Sequence, residues 1–382
     1  MPICQLYKKC SGCQLQNMEY SEQLSFKQAK VIKLLGRFCH IDEIIGMENP
    51  LHYRNKVQMA FTPYRGKTVS GVYQSARRAV VPTDSCFLDN EKSDEIIVTI
   101  RKLCQGFKIF PVDLRSGKGF LHHVLVRNSF FGKGIMVVLV TSKGAFPSKD
   151  AFVAELLRRH PEITTVVRNI NDSDKGLMLG EKSEILFGDG YITERLLDLN
   201  FRISPKSFFQ VNPVQTEVLY KKAIEFADLS GKERVIDAYC GTGTIGLILS
   251  KHAKEVFGVE INKDAVRDAK KNAEINGIDN IRFFAADSGD FMDDLKKNGE
   301  KIDVVITDPP RAGCSSKFLN SLVSLSPKRV VYISCNPETL ARDLYHFRNG
   351  GYKVKKIQPV DMFPYTDHVE SVVLLERAVS SI

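Results

Sequence analysis

From Pro213 onward the chain alternates short apolar runs with amphipathic ones: RVIDAYC, TIGLILSKHA, EVFGVEI, KDAVRDAKKNAEING, IRFFAAD, IDVVITDPP and RVVYISC. A strand that is followed by a helix and then by another strand returns in the same direction. Sustained alternation therefore predicts a parallel, doubly wound α/β sheet of Rossmann type. We assign residues 206–382 to this domain. Upstream the texture differs. Between 51 and 205, runs such as KVQMAF, HHVLVRN, GIMVVLVTS, ITTVVRNI and EILFGDGYITERL are separated by turn residues, which predicts a mainly β central domain with a helix or two. Residues 1–50 read as a Cys-rich head followed by a helix, with Leu24, Ala29, Val31 and Leu34 at helical spacing and Ser21 as its cap.

No run is long and apolar enough to span a membrane, and the first residues lack the apolar core of a signal peptide. A cytoplasmic protein without membrane contact is the expectation. Nine cysteines in such a chain argue for thiols, metal ligands or catalysis rather than disulfides. The net charge of +9 is uneven. Residues 1–205 carry 29 basic and 21 acidic side chains, the remainder 25 and 24. Within 51–80 there are six basic residues (Arg54, Lys56, Arg65, Lys67, Arg77, Arg78) and no acid, interleaved with Tyr53, Phe61, Tyr64 and Tyr73. Cations hold phosphates and aromatic rings stack on bases, so the pattern suits RNA.

VIDAYCGTGTIGLILS reads as strand, glycine turn and helix start, and Gly241, Gly243 and Gly246 fit the dinucleotide fingerprint. A nicotinamide oxidoreductase is one reading. The acids point elsewhere. Asp237 precedes the glycines, where a pyrophosphate would find it unfavourable. An acid there suits a cationic ligand such as S-adenosylmethionine. Glu260, Asp287 and Asp308 end three further strands, facing the crevice where such sheets bind ligands. Glu260 suits ribose hydroxyls and Asp287 the adenine side, although a helix cap is an equally good use of Asp287.

Asp308 opens DPPRAGC. Arg311 stands where enzymes that methylate exocyclic amines place an aromatic ring. Carbon methylation at C5 of a uracil needs covalent help: a thiolate adds at C6, C5 takes the methyl group, and a base removes the C5 proton. Cys335 ends RVVYISC and is the candidate nucleophile. Glu370 begins the last strand and is the candidate base, with Asp367 and His368 as alternatives. Cys240 and Cys314 read as small buried residues, and Cys39 and Cys104 as spare and buried.

SFFQVNPVQTEVLY, DAYCGTGTIGL, DPPRAGC, SCNPETLARDL and DMFPYTDHVE together resemble the RNA uracil-5 methyltransferase family, and HYRNKVQ with the Cys-rich head extends the likeness over most of the chain. The resemblance implies Cys335 as nucleophile and Glu370 as proton acceptor. It implies a cofactor site of Gln210, Tyr239, Glu260 and Asp308, with Asp287 and with Thr244, where members often carry Asn. Cys4, Cys10 and Cys13, with Cys86 downstream, suit either zinc or an iron–sulfur cluster by spacing. The head resembles that of the ribosomal branch, which implies a [4Fe–4S] cluster on these four thiols and 23S rRNA as substrate. The same chemistry on tRNA is the alternative, and an RNA-folding assistant a more distant one. The chain resembles a compact form without the N-terminal RNA-binding barrel, and a monomer suits access to a large RNA.

Overall fold

The computed structural model describes residues 4–74, 79–113, 116–172 and 178–378. In chain order the elements are α1 (Tyr20–Leu35), β1 (Lys56–Tyr64), β2 (Lys67–Gln74), β3 (Ala79–Pro82), α2 (Glu91–Gly106), β4 (Leu121–Asn128), β5 (Ile135–Thr141), α3 (Lys149–Arg159), β6 (Ile163–Ile170), β7 (Lys182–Phe187), β8 (Ile192–Leu196) and β9 (Leu199–Ile203). Then come α4 (Pro213–Ala227), β10 (Arg234–Ala238), α5 (Thr244–Ser250), β11 (Glu255–Glu260), α6 (Lys263–Ile275), β12 (Ile281–Ala285), α7 (Ser288–Lys297) and β13 (Val304–Thr307). The chain finishes with α8 (Ser316–Leu325), β14 (Arg329–Ser334), α9 (Pro337–Asn349), β15 (Tyr352–Val360) and β16 (Glu370–Arg377).

The C-terminal sheet has the order β12-β11-β10-β13-β14-β16-β15. Strands β10 to β14 are mutually parallel, and β16 runs antiparallel to both β14 and β15. Order reverses between β10 and β13, which is where such sheets open a ligand crevice. Val235, Val256, Ile306 and Val372 pack with α4 to α6 on one face. Ile236, Phe257, Val305 and Val373 pack with α7 to α9 and with Val31 and Leu35 of α1 on the other. Burial on both faces is why these strands read as continuous apolar runs.

The upstream sheet has the order β3-β2-β1-β4-β5-β6-β7. Val57, Met59, Phe61, Val124 and Val126 face α2 and α3. Leu125, Met136 and Val138 on the opposite face share a core with β8, β9 and α4.

Several local expectations need correcting. Ser21 is not the cap of α1: Glu19 is, in a reciprocal capping box with Glu22. Helix α1 is tied to the far end of the chain by the buried Lys27–Asp361 ion pair at 2.6 Å, with the Tyr20 hydroxyl donating to the same carboxylate. EILFGDGYITERL is two strands: the Gly188 and Gly190 turns, at φ 70° and 77°, separate β7 from β8, which lie in different sheets. Tyr53 and Phe61 are buried and cannot stack on a base, whereas Tyr64 and Tyr73 are exposed. Arg54 lies 3.5 Å from the Asp89 carboxylate. Arg77 and Arg78 lie outside the described residues. Cys104 is buried as expected, but Cys39 is only half-buried. No helix among the described residues is long and apolar enough to cross a membrane.

Candidate active site

The glycine turn after β10 is shaped by its backbone. Tyr239, Gly241 and Gly243 all have left-handed φ, at 61°, 54° and 81°. A Cβ on Gly243 would sit 2.8 Å from the Phe283 ring, so position 243 needs glycine twice over. Strain at the non-glycine Tyr239 is the kind that clusters at ligand sites. The Gly241 N–H donates to one Glu260 oxygen at 3.1 Å and the Asn262 N–H to the other at 2.8 Å. These bonds fix Glu260 at the end of β11, beside the turn. Thr244 opens α5, and its hydroxyl meets the buried phenol of Tyr220. Gln210 lies in the loop before α4, and its carbonyl accepts from Asn55 at 3.3 Å.

Two acids have local work. Asp237 is buried, and its carboxylate accepts the Gly246 N–H at 2.8 Å, binding β10 to the start of α5. This bond makes Asp237 a strut under the turn. Burial raises it to about 8, with Asp308 and Glu260 adding to the rise. Asp287 caps α7, accepting from the Gly289 and Asp290 N–H groups at 3.0 and 3.1 Å.

The strand ending in Cys335 stops because Asn336 caps α9 and Pro337 takes its first position. Cys335 is thus pinned between a strand end and a helix N-terminus. Its partner comes from register. Ser334 pairs with Ser371 across the antiparallel β14–β16 ladder, so Cys335 and Glu370 are the next residues on either side of the same rung. Asp308 ends the parallel neighbour β13, whose Thr307 pairs with Tyr332. A thiol and two carboxyls therefore gather at one end of three adjacent strands.

Their electrostatics are coupled. Burial lifts Asp308 to about 7. Burial and the Asp308 charge hold Glu370 well above the usual carboxylate range, while the Arg311 guanidinium pulls it down. Glu370 is 3% exposed and its Oε2 has no hydrogen-bond partner among the described residues. Burial, then Glu370 and Asp308, raise the Cys335 thiol to about 11, again opposed by Arg311. Arg311 is the residue whose part sequence reasoning missed. It was legible only as the residue that follows DPP, but its carbonyl accepts from Asn336 and Thr339 at 3.3 and 3.2 Å, locking its loop to the turn beyond Cys335. Of the alternative bases, Asp367 and His368 are partly exposed, and His368 carries a pKa lowered by burial.

The cysteine head converges without closing. Cys13 and Cys86 pack against one cluster of Met47, Tyr53, Leu88 and Tyr365. Burial raises Cys13 to about 11, and the charges of Cys10 and Cys4 both reach it. Among the described residues no three His, Cys, Asp or Glu side chains are close enough together to hold a metal ion.

The profile of the tRNA (Uracil-5-)-methyltransferase family matches residues 177–378. The chain is 44% identical over 386 residues to a protein of Oceanobacillus iheyensis named as an uncharacterized RNA methyltransferase, covering 100% of this chain and 84% of that one. A similarly named protein of Clostridium tetani is 44% identical over 378 residues, covering 98% and 82%. Among solved structures, the Pyrococcus abyssi tRNA (uracil-54, C5)-methyltransferase in complex with S-adenosyl-L-homocysteine superposes with a TM-score of 0.80 at 30% identity, over 96% of this chain and 86% of that one. With the glycine turn, the acids at the strand ends and the matched length considered together, the chain belongs to the tRNA (uracil-5-)-methyltransferase family.

Proposed function

We propose that this chain methylates C5 of a uridine in 23S rRNA, with S-adenosylmethionine as methyl donor. The observation that carries the reading is the β14–β16 register, which sets Cys335 beside Glu370 with Asp308 on the adjoining strand. Gln210, Tyr239, Thr244, Glu260 and Asp308 would hold the cofactor. Asp287 would contribute from its place at the start of α7. The cofactor supplies an electrophilic methyl group on a cationic sulfur, and a crevice rich in buried acid fits that cation.

The target base must leave its stack to reach a strand end in the crevice. The Cys335 thiolate adds to C6, which makes C5 an enolate carbon able to take the methyl group. Glu370 then accepts the C5 proton, the C5–C6 double bond re-forms and the thiolate departs. Burial and the Asp308 charge hold the Glu370 carboxyl above the usual carboxylate range. A cation in the crevice, with Arg311, favours the ionised form that proton removal requires.

Cys4, Cys10, Cys13 and Cys86 would hold a [4Fe–4S] cluster. Cys13 and Cys86 pack against one apolar cluster and the charges of Cys10 and Cys4 reach Cys13, which supports such a group, whose contribution would be to order the head rather than to pass electrons. Stoichiometric zinc without iron after anaerobic purification would replace the cluster with zinc.

The deciding experiment is tritium release from 23S rRNA and tRNA transcripts labelled at uridine C5. Release from 23S rRNA alone supports the full reading. Release from tRNA alone keeps the chemistry and moves the substrate, a second reading favoured by the named substrate of the Pyrococcus relative. Release from neither, with the protein folded and binding S-adenosylhomocysteine, rejects the proposal.

A further inference from the structure

The upstream sheet buries a pair of cations that the reaction above does not use. Lys56 on β1 and Arg127 on β4 are direct cross-strand partners. Their neighbours Val57, Met59, Val124 and Val126 point into the core beneath α2 and α3. Alternation therefore puts Lys56 and Arg127 side by side on the opposite face. Arg127 is 2% exposed. Among the described residues its two terminal nitrogens donate only to the Ser207 carbonyl, at 3.1 and 3.0 Å, and its Nε has no partner. Gln58, next along the same face, also has a buried Nε2 without an acceptor among the described residues.

Lys56 has no ion pair or side-chain hydrogen bond among the described residues and is half-buried. Burial, with the Arg127 charge, draws it down to about 8, and burial draws Arg127 down to about 10. Like charges placed opposite each other in a sheet are unfavourable, and buried donors normally have acceptors. Among the described residues three donors on this face, at Lys56, Gln58 and Arg127, are without an acceptor, and an anion is the group that suits them.

Location says which kind. The Asn55 N–H donates to the Val211 carbonyl at 2.9 Å, and Arg127 holds Ser207. Between them these contacts grip the 207–211 loop, which carries Gln210 and the 66%-exposed Phe208. The Thr242 hydroxyl of the glycine turn reaches the Phe208 carbonyl at 3.4 Å. The cation pair thus adjoins, through Arg127, the loop that meets the glycine turn at Thr242.

We propose that Lys56, backed by Arg127 as a positioning residue, binds a backbone phosphate of the RNA substrate next to the flipped uridine. The site rests on the RNA-methyltransferase reading. A phosphate oxygen supplies the missing acceptor, and its charge offsets the two cations.

The test uses Lys56→Met and Lys56→Arg in the full chain. Binding of 23S rRNA and tRNA transcripts is measured across a salt series, alongside binding of S-adenosylhomocysteine. Lys56→Met is expected to flatten the plot of log affinity against log salt by about 0.7–0.9 on the preferred transcript, the amount due to one phosphate. Lys56→Arg restores the slope, and S-adenosylhomocysteine binding is unchanged in both. Unaltered slopes on both transcripts overturn the site. So does a fall in S-adenosylhomocysteine affinity with the RNA slope intact, which would give the pair to the cofactor carboxylate. Should Lys56→Met fail to fold, acylation of Lys56 in the unmodified protein decides: RNA protects it if the site is right, and no protection by RNA overturns it. Absence of tritium release would reject the methyltransferase reading, whereas an unchanged slope with release intact would reject this site alone.

Discussion

Two regions of this molecule bury charge of one sign, and they do so with opposite signs. At the end of β13, β14 and β16, Asp308 and Glu370 crowd together and burial pushes both upward. On the face of β1 and β4 turned away from α2 and α3, Lys56 and Arg127 lie side by side and burial pushes both downward. Elsewhere the same fold pairs its buried ions, as at Lys27 and Asp361. Leaving a buried charge uncompensated costs stability, so each region would gain from a ligand of opposite sign, as the proposed cofactor and phosphate contacts would supply. The acidic end suits a cation and a proton in transit, and the basic face suits an anion.

Four experiments bear on that contrast. The largest effect is expected at Cys335, which the acidic end surrounds. Cys335→Ala should abolish both methylation and the covalent RNA adduct while leaving S-adenosylhomocysteine binding intact. Residual methylation would remove Cys335 from its role and leave the acids without a nucleophile to serve.

Glu370→Gln comes next. Turnover should drop by roughly 10²–10⁴-fold, the usual worth of a general base. A protein–RNA adduct stable to denaturing gel electrophoresis should accumulate, because the methylated intermediate keeps its C5 proton. Normal turnover without adduct would shift the base to another group.

The third concerns stability, where the two regions should pull in opposite directions. A carboxyl raised in the folded state keeps its proton there after the unfolded chain has lost it. Its contribution is present below the ordinary carboxylate range and is lost as pH rises through the raised value. For Asp237, the acid under the same crevice, that window runs from 3.8 to about 8. Asp237→Asn keeps an acceptor for the Gly246 N–H and should remove a decline of about 2–5 kcal/mol across the window. Urea unfolding at pH 5 and pH 8.5 measures it. Lys56 has the reverse sign: its depressed value means the folded state loses the proton first, so its penalty is relieved as pH rises from about 8 to 10.5. An identical pH slope in Asp237→Asn and wild type would break the acidic half of the comparison.

The smallest effect is on thiol reactivity. Glu370 is one of the charges that hold the Cys335 thiol up. Glu370→Gln should raise the rate of Cys335 alkylation by iodoacetamide at pH 8 several-fold, read by peptide mass spectrometry. A rate that does not change would mean that burial alone holds the thiol protonated.

Legibility in the sequence followed distance along the chain. The glycine turn was readable because its strand, glycines and helix start are contiguous. Asn336 and Pro337 announced where β14 must end, and so where Cys335 must sit. Asp287 shows the limit of such reading: cap and ligand contact have the same local signature, and the structure gives it two N–H partners on α7. Asp237 has a structural use that the sequence did not show, for a related reason. An acid before glycines looks free to meet a ligand until the helix behind it folds back to donate Gly246 N–H.

The sequence by itself determined the alternating sheet, the turn and the strand end that presents the thiol, because short-range periodicity and capping residues specify them. Only the tertiary structure decided which acid faces that thiol and which cations lie unpaired. Both outcomes depend on strand register, β14 against β16 and β1 against β4, where a slip of one residue would send each side chain to the opposite face. Register is settled by the packing of whole faces, Val373 and Leu375 in one core and Val57 and Met59 in another, and not by the residues that the pairing brings together.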